Sequence, residues 1–167
     1  MSLGRSPPRQ AGEGREENDA QAGSPAAFVV HSLAHAVAAL EAAVAAGREA
    51  VLLSAAEAGI SAGPGWFREL IAAARAAVPG ASPAAYLDCG DDAGAAQAAI
   101  RAAVDGIVFT GSADVATRLA AIAVAQGARF ATIRPDIALD LGESLFADAG
   151  TLRARCADAL ASPRPIC

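Results

Sequence analysis

The residues best able to do chemistry lie in Tyr86-Leu87-Asp88-Cys89-Gly90-Asp91. An acid and a possible soft ligand stand where an apolar run ends, and a glycine lets the chain turn into the next helix. In a parallel α/β protein that end of the sheet is where ligands and reacting groups are placed. Asp88 could move a proton or bind a ligand; the commoner role for such a carboxylate is to cap the following helix or accept nearby backbone N–H groups. Cys89 could be a nucleophile, but no base is evident beside it, and a buried structural thiol is commoner. His31, Ser54, Gly111 and Ser112 stand at the ends of other apolar runs. His31 could touch a ligand or simply be the polar residue that leaves the sheet. Backbone N–H groups near Ser54 and Gly111-Ser112 could hold a small anion, although capping by Ser112 accounts for that pair more simply.

These positions need elements to hold them, and the pattern supplies five βα units. Ala27 to His31 reads as a strand, and Ser32 is placed to cap a helix with Leu33, Val37, Leu40 and Val44 on one face, ended by Gly47. Ala50 to Ser54 is a second strand. Pro64 suits the first turn of the next helix, with Trp66, Phe67, Leu70, Ile71, Ala74 and Val78 inward and Pro79-Gly80 as the stop. Ala84 to Cys89 is the third strand. Asp91 or Asp92 caps a helix whose buried stripe is Ala96, Ala99, Ile100 and Ala103, with Gly106 ending it. Ile107 to Thr110 is the fourth strand, followed by a helix using Val115, Leu119 and Ile122 and stopping at Gly127. Arg129 to Ile133 is the fifth strand, ended by Pro135. A last helix covers about Ala149 to Ala161, with Leu152, Cys156 and Leu160 on one side. Trp66 and Phe67 read as core or interface. Gly63-Pro64-Gly65 is not a dinucleotide fingerprint, since no strand leads into it and the third glycine is missing.

Continuous apolar strands alternating with helices predict a parallel sheet of five strands. Five units are too few to close an eight-stranded barrel. The favoured form is therefore a flavodoxin-like open sheet with helices on both faces, and a truncated TIM half-barrel is the alternative. Residues 1–24 hold almost no large apolar side chain and read as a disordered tail, leaving 25–167 as a single α/β domain.

With 167 residues, 54% hydrophobic but 4% aromatic, the core must come from Ala, Val, Leu and Ile. Such a chain buries roughly 70% of its unfolded surface and needs no staples. A net charge of −5 without a basic cluster argues against nucleic acid or an anionic membrane as partner. No run of about 20 uncharged apolar residues is present to span a bilayer. The N-terminus lacks the apolar core of a signal peptide. Three cysteines, Cys89, Cys156 and Cys167, are too few and too scattered for a disulfide framework, so they suggest reduced thiols in the cytoplasm.

Five segments, in order, resemble the first half of the class II fructose-bisphosphate aldolases. Ala27-Phe28-Val29-Val30-His31-Ser32-Leu33 resembles that family's AFNV-x-N-L-E, and Val51 to Gly63 resembles V-I-L-Q-x-S-x-G-A-x-x-Y-A-G. Tyr86-Leu87-Asp88-Cys89-Gly90 resembles H-L-D-H-G. Ala99 to Gly106 resembles A-I-x-A-G-F-D-S, and Ile107 to Ser112 resembles V-M-I-D-G-S. The likeness runs from about Ala27 to Gly127.

It implies a proton-transfer position at Asp88 and a zinc-ligand position at Cys89. It also implies acids where Thr110 stands and in the segment Phe130 to Arg134, which holds no carboxylate. A catalytic zinc needs about three protein ligands and an open position. This chain has two histidines, and His35 is expected on the first helix, away from the strand ends. Zinc aldol chemistry, and any metal or cofactor, is therefore not expected.

The reading that follows is a non-catalytic, aldolase-derived module that binds a small anionic ligand or a partner. One alternative is a metal-free enzyme using Asp88 and Cys89; another is a structural or assembly protein with a relic site. Exposed strand edges and a mean hydropathy of +0.35 point to a homo-oligomer.

Overall fold

The computed structural model describes residues 25–162; the expected tail, 1–24, and Cys167 lie outside them. Four strand–helix units and a fifth strand follow in order. They are β1 (Ala26–Val30) with α1 (Leu33–Ala45), then β2 (Ala50–Ser54) with a short α2 (Ala58–Ser61) and α3 (Pro64–Ala77). Next come β3 (Ala84–Asp88) with α4 (Ala93–Arg101), β4 (Gly106–Val108) with α5 (Ala113–Ala125), and β5 (Arg129–Ala131). A sixth strand, β6 (Ile137–Asp140), precedes a 3-10 turn at Gly142–Ser144 and α6 (Ala149–Ala161). The expected count of five strands is thus corrected to six. The short run Ile-Ala-Leu-Asp after Pro135 is a strand because it pairs with the free edge of β1.

The sheet order is β5-β4-β3-β2-β1-β6, and every pair is parallel. An open parallel sheet of βα units is what forms, in the half-barrel-like of the two expected versions. From β1 to β5 each unit steps to the next strand in the same direction. Right-handed crossovers taken always in one direction put every helix on the same face. One large core accordingly joins Phe28, Leu52, Leu87 and Ile107 to buried residues of α1, α3, α4, α5 and α6. The alternate strand residues Val29, Leu53 and Val108, with Tyr86 and Ala131, form a separate cluster that contains no helix residue. Helices on both faces, the favoured expectation, are therefore replaced by a single helical layer.

The connection between β5 and β6 requires the sheet to curve. Those strands lie at opposite edges, five strand spacings apart, which in a flat sheet is about 24 Å. The chain from Ala131 to Ile137 can span at most about 21 Å. The edges must curl toward one another, and residues 132–136 run from the end of β5 back to the start of β6.

Several local signals act as expected. Ser32 accepts from the His35 amide, Asp92 from that of Ala95, and Pro64 opens α3. Others differ for packing reasons. Leu33 and Val44 are about half exposed, because α1 turns its alanines, with Leu40, toward the sheet and its neighbours. Trp66 and Ile122 are also exposed. α4 ends earlier than expected, with Ala103 at φ 55. Gly106 instead begins β4, where an added Cβ would lie 2.7 Å from the Ala85 carbonyl and from the Tyr86 ring. Its absent side chain permits close strand packing.

Candidate functional site

Asp88 is the last residue of β3 and is almost completely buried. Its Oδ1 accepts from the Glu57 amide at 3.0 Å and from the Gly90 amide at 2.8 Å. Its Oδ2 is paired with the Arg134 guanidinium, which also donates to the Ser54 carbonyl at 3.4 Å. The Asp88 amide donates to Ser54 Oγ at 2.9 Å, and that hydroxyl donates to the Ala55 carbonyl at 2.9 Å. One carboxylate therefore ties together the ends of β2 and β3 and the 132–136 connection.

Backbone geometry is built around this acid. Gly90 has φ 55, and Glu57, a non-glycine, is left-handed at φ 56. That strained conformation at Glu57 is matched by the charge-assisted bond its amide gives to Asp88.

Cys89 faces away from the cluster. It has no exposure, and α2 lies so close that a Cβ on Gly59 would be 2.7 Å from its Sγ. Burial, reinforced by the charges of Asp88 and Asp92, pushes the thiol up to about 12. It is protonated at neutral pH and is neither nucleophile nor ready ligand. The zinc site implied by the family resemblance does not fit these residues. The Arg134 cation stands against Asp88, and the neighbouring sulfur is sealed under a helix. Among the described residues no group of three or more His, Cys, Asp or Glu side chains could hold a metal ion.

His31 lies at the end of β1, and its Nε2 is 2.8 Å from Asp140 Oδ1 at the end of β6. The same Asp140 oxygen accepts from the Gly142 amide at 2.8 Å. That bond, the His31 ring and the positive charge of Arg134 hold the Asp140 carboxyl below its ordinary value against an opposing desolvation. Arg134 therefore acts electrostatically on two strand ends. Gly111 and Ser112 lie on the loop after β4. Gly111 leaves room for the Phe109 ring, whose nearest atom would be 2.4 Å from an added Cβ. Ser112 occupies the N-cap of α5, but its side chain makes no cap hydrogen bond, so the expected hydroxyl cap is absent. Thr110, at the position where the family carries an acid, is exposed, and its amide donates to the Gly90 carbonyl at 2.8 Å.

The fold thus brings Ser54 and Asp88 into direct contact and sets His31 two strands away from Asp88 on the same end of the sheet. The site hydrogen bonds of Asp88 do not include Gly111 or Ser112. Sequence reasoning missed Arg134 and Asp140. The pattern Asp140-x-Gly142 carried a signal, since an aspartate two residues before a glycine readily accepts that amide. Arg134 carried only its position, directly after the fifth strand.

The comparisons with known proteins bear on the fold. No family model and no curated protein matches the chain. Among solved structures it is similar to a chain from Coccidioides immitis described as a "putative fructose-1,6-biphosphate aldolase", with a TM-score of 0.52 and 23% identity. The likeness covers 64% of this chain and 39% of that one, so this chain spans well under half of its neighbour's length. It supports an aldolase-like fold.

Proposed function

We propose that this chain is a non-catalytic, aldolase-derived α/β module that works by association, first with a second copy of itself, while its strand-end site serves as an internal latch. The observation that carries this reading is Arg134. Its guanidinium takes the free oxygen of Asp88 and reaches the Ser54 carbonyl, using the groups that would otherwise meet a ligand. A small anionic ligand at this site would have to compete with Asp88 for that cation. A metal-free reaction through Asp88 and Cys89 has little support, because the thiol stays protonated.

Association is supported by what the surface leaves uncovered. Val124 on α5 is 70% exposed, Ile133 on the β5–β6 connection 79%, and Phe146 before α6 97%. β5 is an edge strand backed by α5, where Ile122 and Val124 face water. Such edges and apolar side chains favour pairing with another chain. Among the described residues no helix is long and apolar enough to cross a membrane. The free, buried Cys89 and Cys156 suit a reducing compartment such as the cytoplasm.

Sedimentation equilibrium at micromolar concentration tests the reading, with zinc analysis and a fructose 1,6-bisphosphate cleavage assay on the same sample. The expected result is a mass at least twice the 16.5 kDa monomer, reduced by Val124→Glu or Phe146→Ser, with neither zinc nor cleavage. A monomer at all concentrations overturns association. Stoichiometric zinc with cleavage abolished by a chelator overturns the non-catalytic reading.

A further inference from the structure

The chain's two histidines meet where β1, α1 and β6 converge. His35, in the first turn of α1, has no exposure, and its ring stands edge-on to His31 at a centroid distance of 6.0 Å. The His31 amide donates to His35 Nδ1 at 3.3 Å. Nδ1 is therefore the unprotonated nitrogen, and the neutral ring carries its proton on Nε2. That Nε2 is buried and makes no hydrogen bond, although the Ser144 backbone is close enough to favour a proton there.

The His31 ring is engaged by Asp140 through Nε2. His35 cannot accept a second proton in place. A proton arriving on Nδ1 would face the His31 N–H, two donors pointing at each other, and would place a charge where water does not reach.

We infer that His35 is an acid switch: its protonation unfastens the unit formed by β6, the 3-10 turn and α6 from the corner formed by β1 and α1. Besides the β1–β6 ladder, that unit is tied to the corner by side-chain and backbone contacts. The Leu141 amide donates to the Val29 carbonyl at 3.1 Å, His31 holds Asp140, Arg153 approaches Glu41 of α1 at 3.4 Å, and Arg48, just after α1, donates to the Leu160 carbonyl. Arg155 of α6 donates to Ser144 Oγ, which ties α6 to the turn. The groups acting on His35 are His31 and Asp140 from the strand ends and the Ser144 backbone from the turn. Asp140 alone among them carries a negative charge to welcome the imidazolium, and it is already engaged by His31, by the Gly142 amide and by the field of Arg134. Burial dominates and lowers the His35 pKa. Because the 132–136 connection leads directly into β6, release of β6 would also loosen the segment that carries Arg134.

Hydrogen exchange on the full chain, near pH 7.5 and near pH 5 with intrinsic rates corrected, tests this. Protection across 137–161 should fall about ten-fold or more relative to 84–101 on acidification. His35→Asn, whose amide oxygen can stand in for Nδ1 but does not titrate, should abolish the difference. Protection that falls equally in both segments, or still falls selectively in His35→Asn, overturns the inference, as does no fall in the parent. Should the variant not fold, NMR titration of the parent decides. The midpoint of the His35 ring signals must coincide with the loss of protection in α6, and divergent midpoints overturn it.

Discussion

Two corners at the same end of the sheet use the same kinds of residue to opposite effect. Around Asp88 both carboxylate oxygens are used, and the cation that neutralises it arrives from the far edge of the sheet. Around His35 one nitrogen is paired and the other is buried without a hydrogen bond. The first corner is a lock whose parts all satisfy one another; the second is satisfied only while the ring is neutral. A buried polar group stabilises a fold in proportion to the completeness of its hydrogen bonding, and a buried nitrogen that accepts from an N–H becomes a weakness once it is protonated. The corner with an enzyme-like acid is thus the one whose hydrogen bonds are complete. The corner around His35 is the one inferred above to respond to acid.

The comparison is tested most severely by Asp88→Ala. The variant leaves Arg134 half-buried without its anion and strands the amides of Glu57 and Gly90. Removing one partner of a buried, hydrogen-bonded pair costs about 3–5 kcal/mol. A loss near 3 kcal/mol in urea unfolding is expected, with Arg134 partly rescued by water. A loss well below about 1.5 kcal/mol would mean that the acid is held in reserve for a ligand and that the lock is not one.

Gly59→Ala probes the same corner through packing. The added Cβ would lie 2.7 Å from Cys89 Sγ and 3.0 Å from the Asp88 carbonyl, and neither atom belongs to a flexible side-chain end. Overpacking of this kind costs about 1–3 kcal/mol, offset in part by the better helix propensity of alanine. Gly65→Ala in α3 is the control, because nothing lies within 4 Å of its added Cβ. Calorimetry should show a lowered midpoint for the first and an unchanged or raised one for the second.

The second corner predicts a pH dependence. His35 has its folded pKa lowered below the ordinary 6.5. Below that value the unfolded chain binds more protons than the folded one. Stability is therefore complete above about pH 6.5 and falls as the pH drops beneath it, by at most about 1.4 kcal/mol per pH unit. The lowered Asp140 pKa adds a further loss only at lower pH, below its ordinary 3.8. Urea unfolding at a series of pH values separates the two windows, and His35→Asn should flatten the upper one alone.

What the sequence made legible follows from how local each signal is. α6 has the predicted bounds, Ala149–Ala161, and Leu152, Cys156 and Leu160 are its buried side, because an amphipathic helix writes its period into one short window. The caps at Ser32 and Asp92 are equally local. β6 was missed because its four residues become a strand only by pairing with β1, 110 positions earlier at Ala27↔Ile137. The single helical layer was missed because apolar strands look alike whether helices cover one face or two. Asp88 was visible as a candidate, and its alternative role of accepting backbone N–H groups was also foreseen. Arg134 was not, since an ion pair spanning 46 positions leaves no periodic trace.

The smallest effect is expected at the remaining candidate pair, where sequence and structure differ over one hydroxyl. Ser112 stands at the N-cap of α5 with extended backbone angles, φ −60 and ψ 144, and its carbonyl accepts from the Ala116 amide at 2.9 Å. Its hydroxyl makes no cap bond, whereas Asp92 at the start of α4 accepts from Ala95 at 2.8 Å. Loss of a bonded cap typically costs about 1 kcal/mol, and loss of an unbonded surface hydroxyl less than about 0.5 kcal/mol. Asp92→Ala should therefore lower the urea midpoint measurably and Ser112→Ala barely at all. Equal losses would mean that Ser112 caps α5 in solution. The loop bearing Gly111 would then be ordered by its own hydrogen bonding as well as by the Phe109 ring, and the contrast between a fully bonded Asp88 corner and a loosely bonded neighbour would narrow to His35 alone.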